Sequence, residues 1–376
     1  MAKLGEVATY INGYAFKPED WSDTGLPIIR IQDLTGNGYQ ANRYDGEYDK
    51  RYLVNPGDVL ISWSASLGVY VWENEPALLN QHIFKVVFDK AEVDKSFFVH
   101  QVRMILEKAA SAAHGATMKH LTKPIFDALP FYLPPIVEQR TIAAKLDKVD
   151  ELISLRKKQL QKLDDLVKSR FVEMFGTYPA NEKGWSTGTI RDLVTEVRYG
   201  SSRKAAEGDS GKYPYLRMNN ITYGGELDLS DTKTIDIPEE ELDKCTVHRG
   251  DLLFNRTNSK ELVGKTCVYN RDDMMVLAGF VVRVRLNEKA LPEFVSAFMN
   301  TSFSKQMLLG MCKAAIGQAN INAQELQNIG IYIPPIELQK VFVSYKAQVD
   351  KSKVTIQQGL NKLEHMKQAL MQKYFG

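Results

Sequence analysis

Arginine, asparagine and glutamine carry paired donors and acceptors that match base edges, Arg to guanine and Asn or Gln to adenine. The second half of this chain gathers them. The segment "NRTNSK" supplies Asn255, Arg256, Thr257, Asn258, Ser259 and Lys260, and "GQANIN" supplies Gln318, Asn320 and Asn322. Upstream stand Arg203 and Lys204, then Arg217, Asn219 and Asn220 behind the apolar run of "YPYLRMNNIT". The first half offers Arg30, Gln32 and Asp33 behind "LPII", then Ser62, Trp63, Ser64, Ser66, Asn80, Gln81, His82, Lys119 and His120. Singly, such residues also build turns. Clustered, they point to hydrogen-bond readout and phosphate contact.

Covalent chemistry has no comparable set of residues. "SKELVGKT", ending at Thr266, has Ser259 where a phosphate-binding loop needs its first glycine, so Lys265 reads as a solvent or phosphate-backbone contact. "TGNGYQ" lacks the third glycine of a dinucleotide fingerprint, and no NPP[FY] motif of amino-methyltransferases occurs. His82, His100, His114, His120, His248 and His365 show no metal-ligand spacing, and no Ser, His and Asp fall in a nucleophile context. Glu239, Glu240 and Glu241 read as solvated surface. Cys245, Cys267 and Cys312 form no CxxC pair, so neither a disulfide framework nor a structural zinc is supported.

The elements that must position the candidate residues are set by a repeat. Phe131–Gly176 recurs at Ile331–Gly376, with Pro134, Pro135, Ile136, Gln139, Val149, Asp150, Leu160, Leu163, Phe175 and Gly176 returning unchanged. Repeats so far apart mean two whole modules. Behind each "PPI" the apolar residues keep heptad spacing. In the first copy they are Ile142, Leu146, Val149, Ile153, Leu160, Leu163, Val167 and Met174; in the second, Phe342, Val349, Ile356, Leu360, Leu363, Leu370 and Tyr374. A seam this long predicts a coiled coil. Two helices of about 38 residues would each span roughly 57 Å, and the expectation is that they pair antiparallel as a spacer. Before each helix lies a mixed module with matching landmarks. These are strands at Leu26 and Tyr213, a Gly-Asp turn and strand after Pro56 and Arg249, an alternating strand in "QHIFKVVF" and "GFVVRVRL", and helical stretches at 97–113 and 292–311. The fold class predicted is α+β with a pseudo-twofold internal repeat.

With 376 residues, two domains are the default. A net charge of +2 requires any basic surface to be local. The start "MAKLGEVATY" is no signal peptide, and no apolar run nears the roughly 20 residues of a membrane helix, so a reducing cytoplasm and no membrane partner are expected.

Taken in order, "P-x-[IL]-R-x-x-[DN]", "G-D-[IVL]-L" and "[IL]-P-P-[IL]-x-x-Q", each present twice, resemble the specificity subunit of a type I restriction-modification system over nearly the whole length. The resemblance implies target-recognition domains at 1–133 and 177–333, a central conserved helical region at 134–176 and a C-terminal one at 334–376. It implies a subunit without catalysis or cofactor of its own that binds an asymmetric bipartite site in double-stranded DNA, one half-site per domain, with the helical pair fixing the spacer. Two modification subunits carrying S-adenosylmethionine, and restriction subunits using ATP and Mg, are the implied partners. The chain enters the first domain almost at once and no short tandem repeat lengthens the central helix, which leaves the spacer length open. Two other readings stand beside it. A self-contained DNA methyltransferase or nuclease would need the motifs missing above, and a coiled-coil protein scaffold would show no salt-dependent DNA binding.

Overall fold

Short apolar runs between turn residues form the strands of a mixed α/β structure, a computed structural model that describes residues 1–36, 42–112, 122–208, 210–312 and 319–376. The chain divides into two units, residues 1–157 with 358–376, and residues 158–357.

In the first unit, Thr9–Asn12, Ile83–Val87, Val59–Ser62 and Gly68–Val71 form an antiparallel sheet in that order. Every residue of Val59–Ser62 is buried, the apolar run Val59–Ile61 by its hydrophobicity and Ser62 with its hydroxyl bonded to the Ser66 carbonyl. A second sheet has the order Arg43–Tyr44, Leu26–Ile29, Ala77–Leu79, Leu53–Val54, and its middle pair is parallel, with Ile28 opposite Leu78. The helix Lys95–Ala112 presents Phe97, Phe98 and Val102 to the core.

The second unit repeats this order. Val194–Tyr199, Val281–Leu286, Leu252–Asn255 and Thr266–Val268 form one sheet. Lys233–Ile235, Tyr213–Leu216, Met275–Leu277 and Thr246–Val247 form the other, again with a parallel middle pair, Tyr215 opposite Val276. The single helical stretch expected over 292–311 is two helices, Pro292–Met299 and Ser302–Met311. Thr301 explains the break: its hydroxyl accepts from the Ser304 N–H at 3.3 Å and caps the second helix.

The two "PPI" segments open helices of 40 residues, Ile136–Phe175 and Ile336–Phe375. They run antiparallel in both units. In the first, Lys367 meets Asp150 at 2.6 Å and Lys157 meets Glu364 at 3.1 Å. In the second, Lys353 meets Asp164 at 2.6 Å and the Phe171 ring lies 5.3 Å from Phe342. The helix ends are core material. Ile142, Leu146 and Met371 are buried in the first unit, and Phe171, Phe175 and Phe342 in the second. Mid-helix residues Ile153, Leu160 and Leu163 stay half-buried.

Each repeated motif has a framing role. The buried Gln139 amide accepts from Asp94 N–H at 2.9 Å and donates to the Pro134 and Glu92 carbonyls at 2.8 and 3.2 Å. Gln339 does the same with Leu291 N–H, Pro334 and Lys289 at 2.9, 2.9 and 3.0 Å, so this glutamine bolts each long helix to its module. In the Gly-Asp turns, Gly57 and Gly250 take φ of 92° and 91°, where a side chain is disfavoured. Asp58 and Asp251 then accept from Asn55 N–H and His248 N–H at 2.8 and 2.9 Å. The third motif closes likewise: Asp33 accepts from Arg30 N–H at 2.7 Å, and Asn220 from Arg217 N–H at 2.8 Å.

Candidate nucleic-acid interface

Five of the residues chosen for their hydrogen-bonding chemistry, Arg203, Lys204, Arg217, Asn219 and Arg256, line one groove of about 560 Å³ in the second unit. They come from three places in the chain, the strand exit after Tyr199, the turn after Leu216 and the exit after Asn255. The four cations make a local basic surface on a chain of small net charge.

Their electrostatic states differ. Arg203 is clasped bidentately by Glu241, with Nε at 3.2 Å and Nη2 at 2.6 Å, which holds the Glu241 carboxyl below its usual range and raises the guanidinium. Arg217 is tied to the Asp231 carboxylate at 2.9 Å. Arg256 rests on an aromatic ring, its guanidinium 5.0 Å from the Tyr199 centroid, and its Nε is buried without a hydrogen-bond partner. The Tyr199 hydroxyl accepts from the Ala323 N–H at 3.0 Å, which fixes the ring beneath the cation. Phe280, 49% exposed, flanks Arg256 and lines the same groove.

Beside the groove, Thr257–Asn258 pairs with Ala319–Asn320 as a two-stranded ribbon, the Thr257 hydroxyl reaching Asn320 Oδ1 at 3.1 Å. Asn320 and Lys260 are exposed, while Asn258 and Ser259 are half-buried, Asn258 Oδ1 accepting from Ser259 N–H at 2.9 Å.

In the first unit the candidates gather around Trp63. Its indole N–H donates to Asn12 Oδ1 at 3.2 Å, and its ring lies 5.0 Å from His82 and 5.7 Å from Phe84. Ala65 and His82 hold φ of 58° and 71°, a left-handed conformation uncommon outside glycine and often found where a loop is held for function. Ser66 and Gln81 are exposed beside them. The Arg30 guanidinium lies 4.4 Å over the Trp21 ring, with Gln32 half-buried two residues on. Lys119, His120 and Gln318 lie outside the described residues.

Several candidates are corrected to scaffold. Asn220 is buried and donates its amide to the Asp228 and Asp231 carbonyls at 2.8 and 3.1 Å. Asn322 caps the helix Ala323–Gln327, accepting from Gln324 and Glu325 N–H at 2.9 Å each. Asn255, Thr257, Ser62 and Ser64 are buried, and Ser62 donates to the Ser66 carbonyl. Lys265 is no solvent or phosphate contact: its buried amine donates to the Met218 carbonyl at 2.9 Å, and burial lowers its pKa. The expectation failed because a polar letter in a loop-like stretch says nothing of which way its side chain points.

Asn12, Tyr199 and Phe280 touch these candidates without being among the residues singled out for hydrogen-bonding chemistry. Asn12 and Tyr199 close strands just before Gly13 and Gly200, and that shared position was the available signal. Burial pushes the Cys267 thiol up to about 12, and among the described residues no His, Cys, Asp and Glu cluster could hold a metal ion. Among the same residues no helix is long and apolar enough to cross a membrane.

The family described as "Type I restriction modification DNA specificity domain" matches residues 1–165 and 182–365. The chain is similar to the type I restriction enzyme EcoKI specificity subunit of Escherichia coli K12, 23% identical over 415 residues, covering 100% of this chain and 88% of the relative. The EcoBI specificity subunit of Escherichia coli is 23% identical over 409 residues, covering 99% and 84%. The fold is similar to the crystal structure of a type I restriction-modification S subunit from M. genitalium, with a TM-score of 0.55, 14% identity, and coverage of 100% of this chain and 95% of that one.

Proposed function

Because the chain belongs to the type I restriction-modification DNA specificity family, which spans most of its length, we propose that it is the subunit that selects the DNA sequence for a modification and restriction complex. Each unit reads one half of a bipartite target in double-stranded DNA, and the antiparallel helices act as a coiled-coil spacer that sets the unread interval. Two modification subunits, and restriction subunits with them, dock on this chain. S-adenosylmethionine, ATP and Mg belong to those partners, and the chain contributes binding and positioning without catalysis, in the cytoplasm.

One observation carries the reading. The frame is the same in both units, down to the glutamine bolts and the Gly-Asp turns, while the residues at the strand exits differ in chemical class. A constant scaffold with varied side chains at its exits is how one architecture reads two sequences. Since Trp63 and His82 form the reading surface of one unit and Arg256 and Phe280 that of the other, the two half-sites differ and the target is asymmetric.

The test is reconstitution of the full chain with its cognate modification subunits. Affinity for target DNA should fall linearly in log–log form with salt, by a slope of roughly 0.9 per phosphate neutralised. The methylated motif should be two unlike half-sites separated by a fixed unread spacer. A flat salt response, or a contiguous palindromic motif, would overturn the proposal.

A further inference from the structure

Three backbone positions recur in register between the two units. In the first, Asn12 ends its strand opposite Phe84, Ser62 ends the neighbouring strand opposite Ile83, and the next residue, Trp63, donates its N–H to the His82 carbonyl at 3.2 Å. In the second, Tyr199 lies opposite Val282, Asn255 opposite Val281, and the next residue, Arg256, donates its N–H to the Phe280 carbonyl at 3.0 Å. The glycine after the first strand completes the match: Gly13 N–H reaches Ile83 O at 3.1 Å, and Gly200 N–H reaches Val281 O at 3.2 Å. Asn12, Trp63 and His82 therefore occupy the same addresses as Tyr199, Arg256 and Phe280.

None of the three side chains is kept. An amide becomes a phenol, an indole a guanidinium and an imidazole a phenyl ring, yet in both units the middle residue leans on the first. Trp63 donates to Asn12 at 3.2 Å, and Arg256 sits 5.0 Å over Tyr199. Core positions two residues away remain apolar in both, Ile61 and Phe84 against Phe254 and Val282. Packing thus constrains the frame and leaves these addresses to be set by something outside it.

Resting on the DNA reading above, we propose that these three positions form the base-discriminating head of each unit, and that the head of the second unit reads a guanine edge through Arg256, with Tyr199 as its positioning residue. The guanidinium fork matches guanine O6 and N7 in the major groove. Arg203 and Arg217 must surrender Glu241 and Asp231 before offering full charge to a ligand. Arg256 faces no such exchange, since among the described residues an aromatic ring stands where their carboxylates do. Its geometry is prepaid by the Tyr199 ring, itself held by the Ala323 N–H. Phe280 offers an exposed ring for stacking or apolar contact beside the guanine.

The experiment selects bound duplexes from a randomised pool with the full chain in complex with its modification subunits, and reads base preference at every position. Arg256→Ala should reduce discrimination at one G·C pair of one half-site by about 10-fold or more. Tyr199→Ala should relax the same pair by about 2- to 5-fold, and Tyr199→Phe, which keeps the ring, should retain most of it. The melting temperature is measured alongside, because a merely structural Tyr199 would lower it and weaken every position alike. An unchanged base profile in Arg256→Ala and Tyr199→Ala, or a loss spread over both half-sites, overturns the head assignment. A wild-type complex with no sequence preference would instead overturn the DNA reading beneath it.

Discussion

Lys305 offers a stability test whose size and sign follow from the structure. Its amine lies within the second unit, 3.3 Å from the Gly264 carbonyl and 4.9 Å over the Tyr223 ring, with Lys265 and Lys168 as its charged neighbours. Burial, reinforced by those two cations, lowers its pKa from 10.5 to about 8. At 1.36 kcal/mol per tenfold change, that depression is a penalty of roughly 3 kcal/mol on the charged form in the folded state. Lys305→Met removes the penalty and gives up a long hydrogen bond and a cation–π contact, together worth about 1 to 2 kcal/mol. The substitution should therefore stabilise the second unit by about 1 to 2 kcal/mol near pH 7. Between about 8 and 10.5 the unfolded chain holds a proton that the folded chain has released, so wild-type stability rises with pH through that window. The advantage of the methionine should then shrink and vanish by about pH 10. Hydrogen exchange of the core strand Val281–Leu286 reports the opening of this unit and reads both values. A destabilised Lys305→Met near pH 7, or an equal gap at both pH values, would refute the argument.

Further predictions concern the frame. Gln139→Ala and Gln339→Ala each strand buried backbone groups, and each should cost its own unit about 2 to 3 kcal/mol in urea unfolding, with similar losses for the two. Glu196 gathers Arg198, Arg283 and Arg285 at 2.9 to 3.0 Å, and the Arg283 side chain is only 2% exposed, so Glu196→Gln should cost about 2 to 3 kcal/mol. The Arg198 hydrogen bond, then the three arginine charges, hold that carboxyl below its usual 4.5. The contribution of Glu196 is thus present above about 4.5 and lost as pH falls through the lowered value, and the gap to Glu196→Gln closes in acid. Asn322→Ala should cost about 1 kcal/mol as a lost helix cap, which thermal unfolding would check.

The frame was legible because its signals are local. A strand such as Val59–Ser62 announces itself by an unbroken apolar run, the long helices by heptads and flanking prolines, and the equivalence of the units by letters that return in order. The site was legible only in part. The sequence pointed alike, through side-chain chemistry, to Arg256, which lines the groove, to Asn220 and Asn255, which are buried, and to Asn322, which caps a helix. Composition cannot separate these roles, since an asparagine has the same donors and acceptors whether it meets a base or caps a helix.

By itself the sequence determined that there are two modules, two long helices and a polar set of candidate readers. Local propensity and periodicity suffice for that. Only the tertiary structure decided that Tyr199, Arg256 and Phe280 meet, and that Asn12, Trp63 and His82 meet at the same addresses. Each trio is assembled from residues far apart in the chain by strand register, and register is fixed by how the sheets bury their apolar residues against the core, a property of the whole unit and of no single segment.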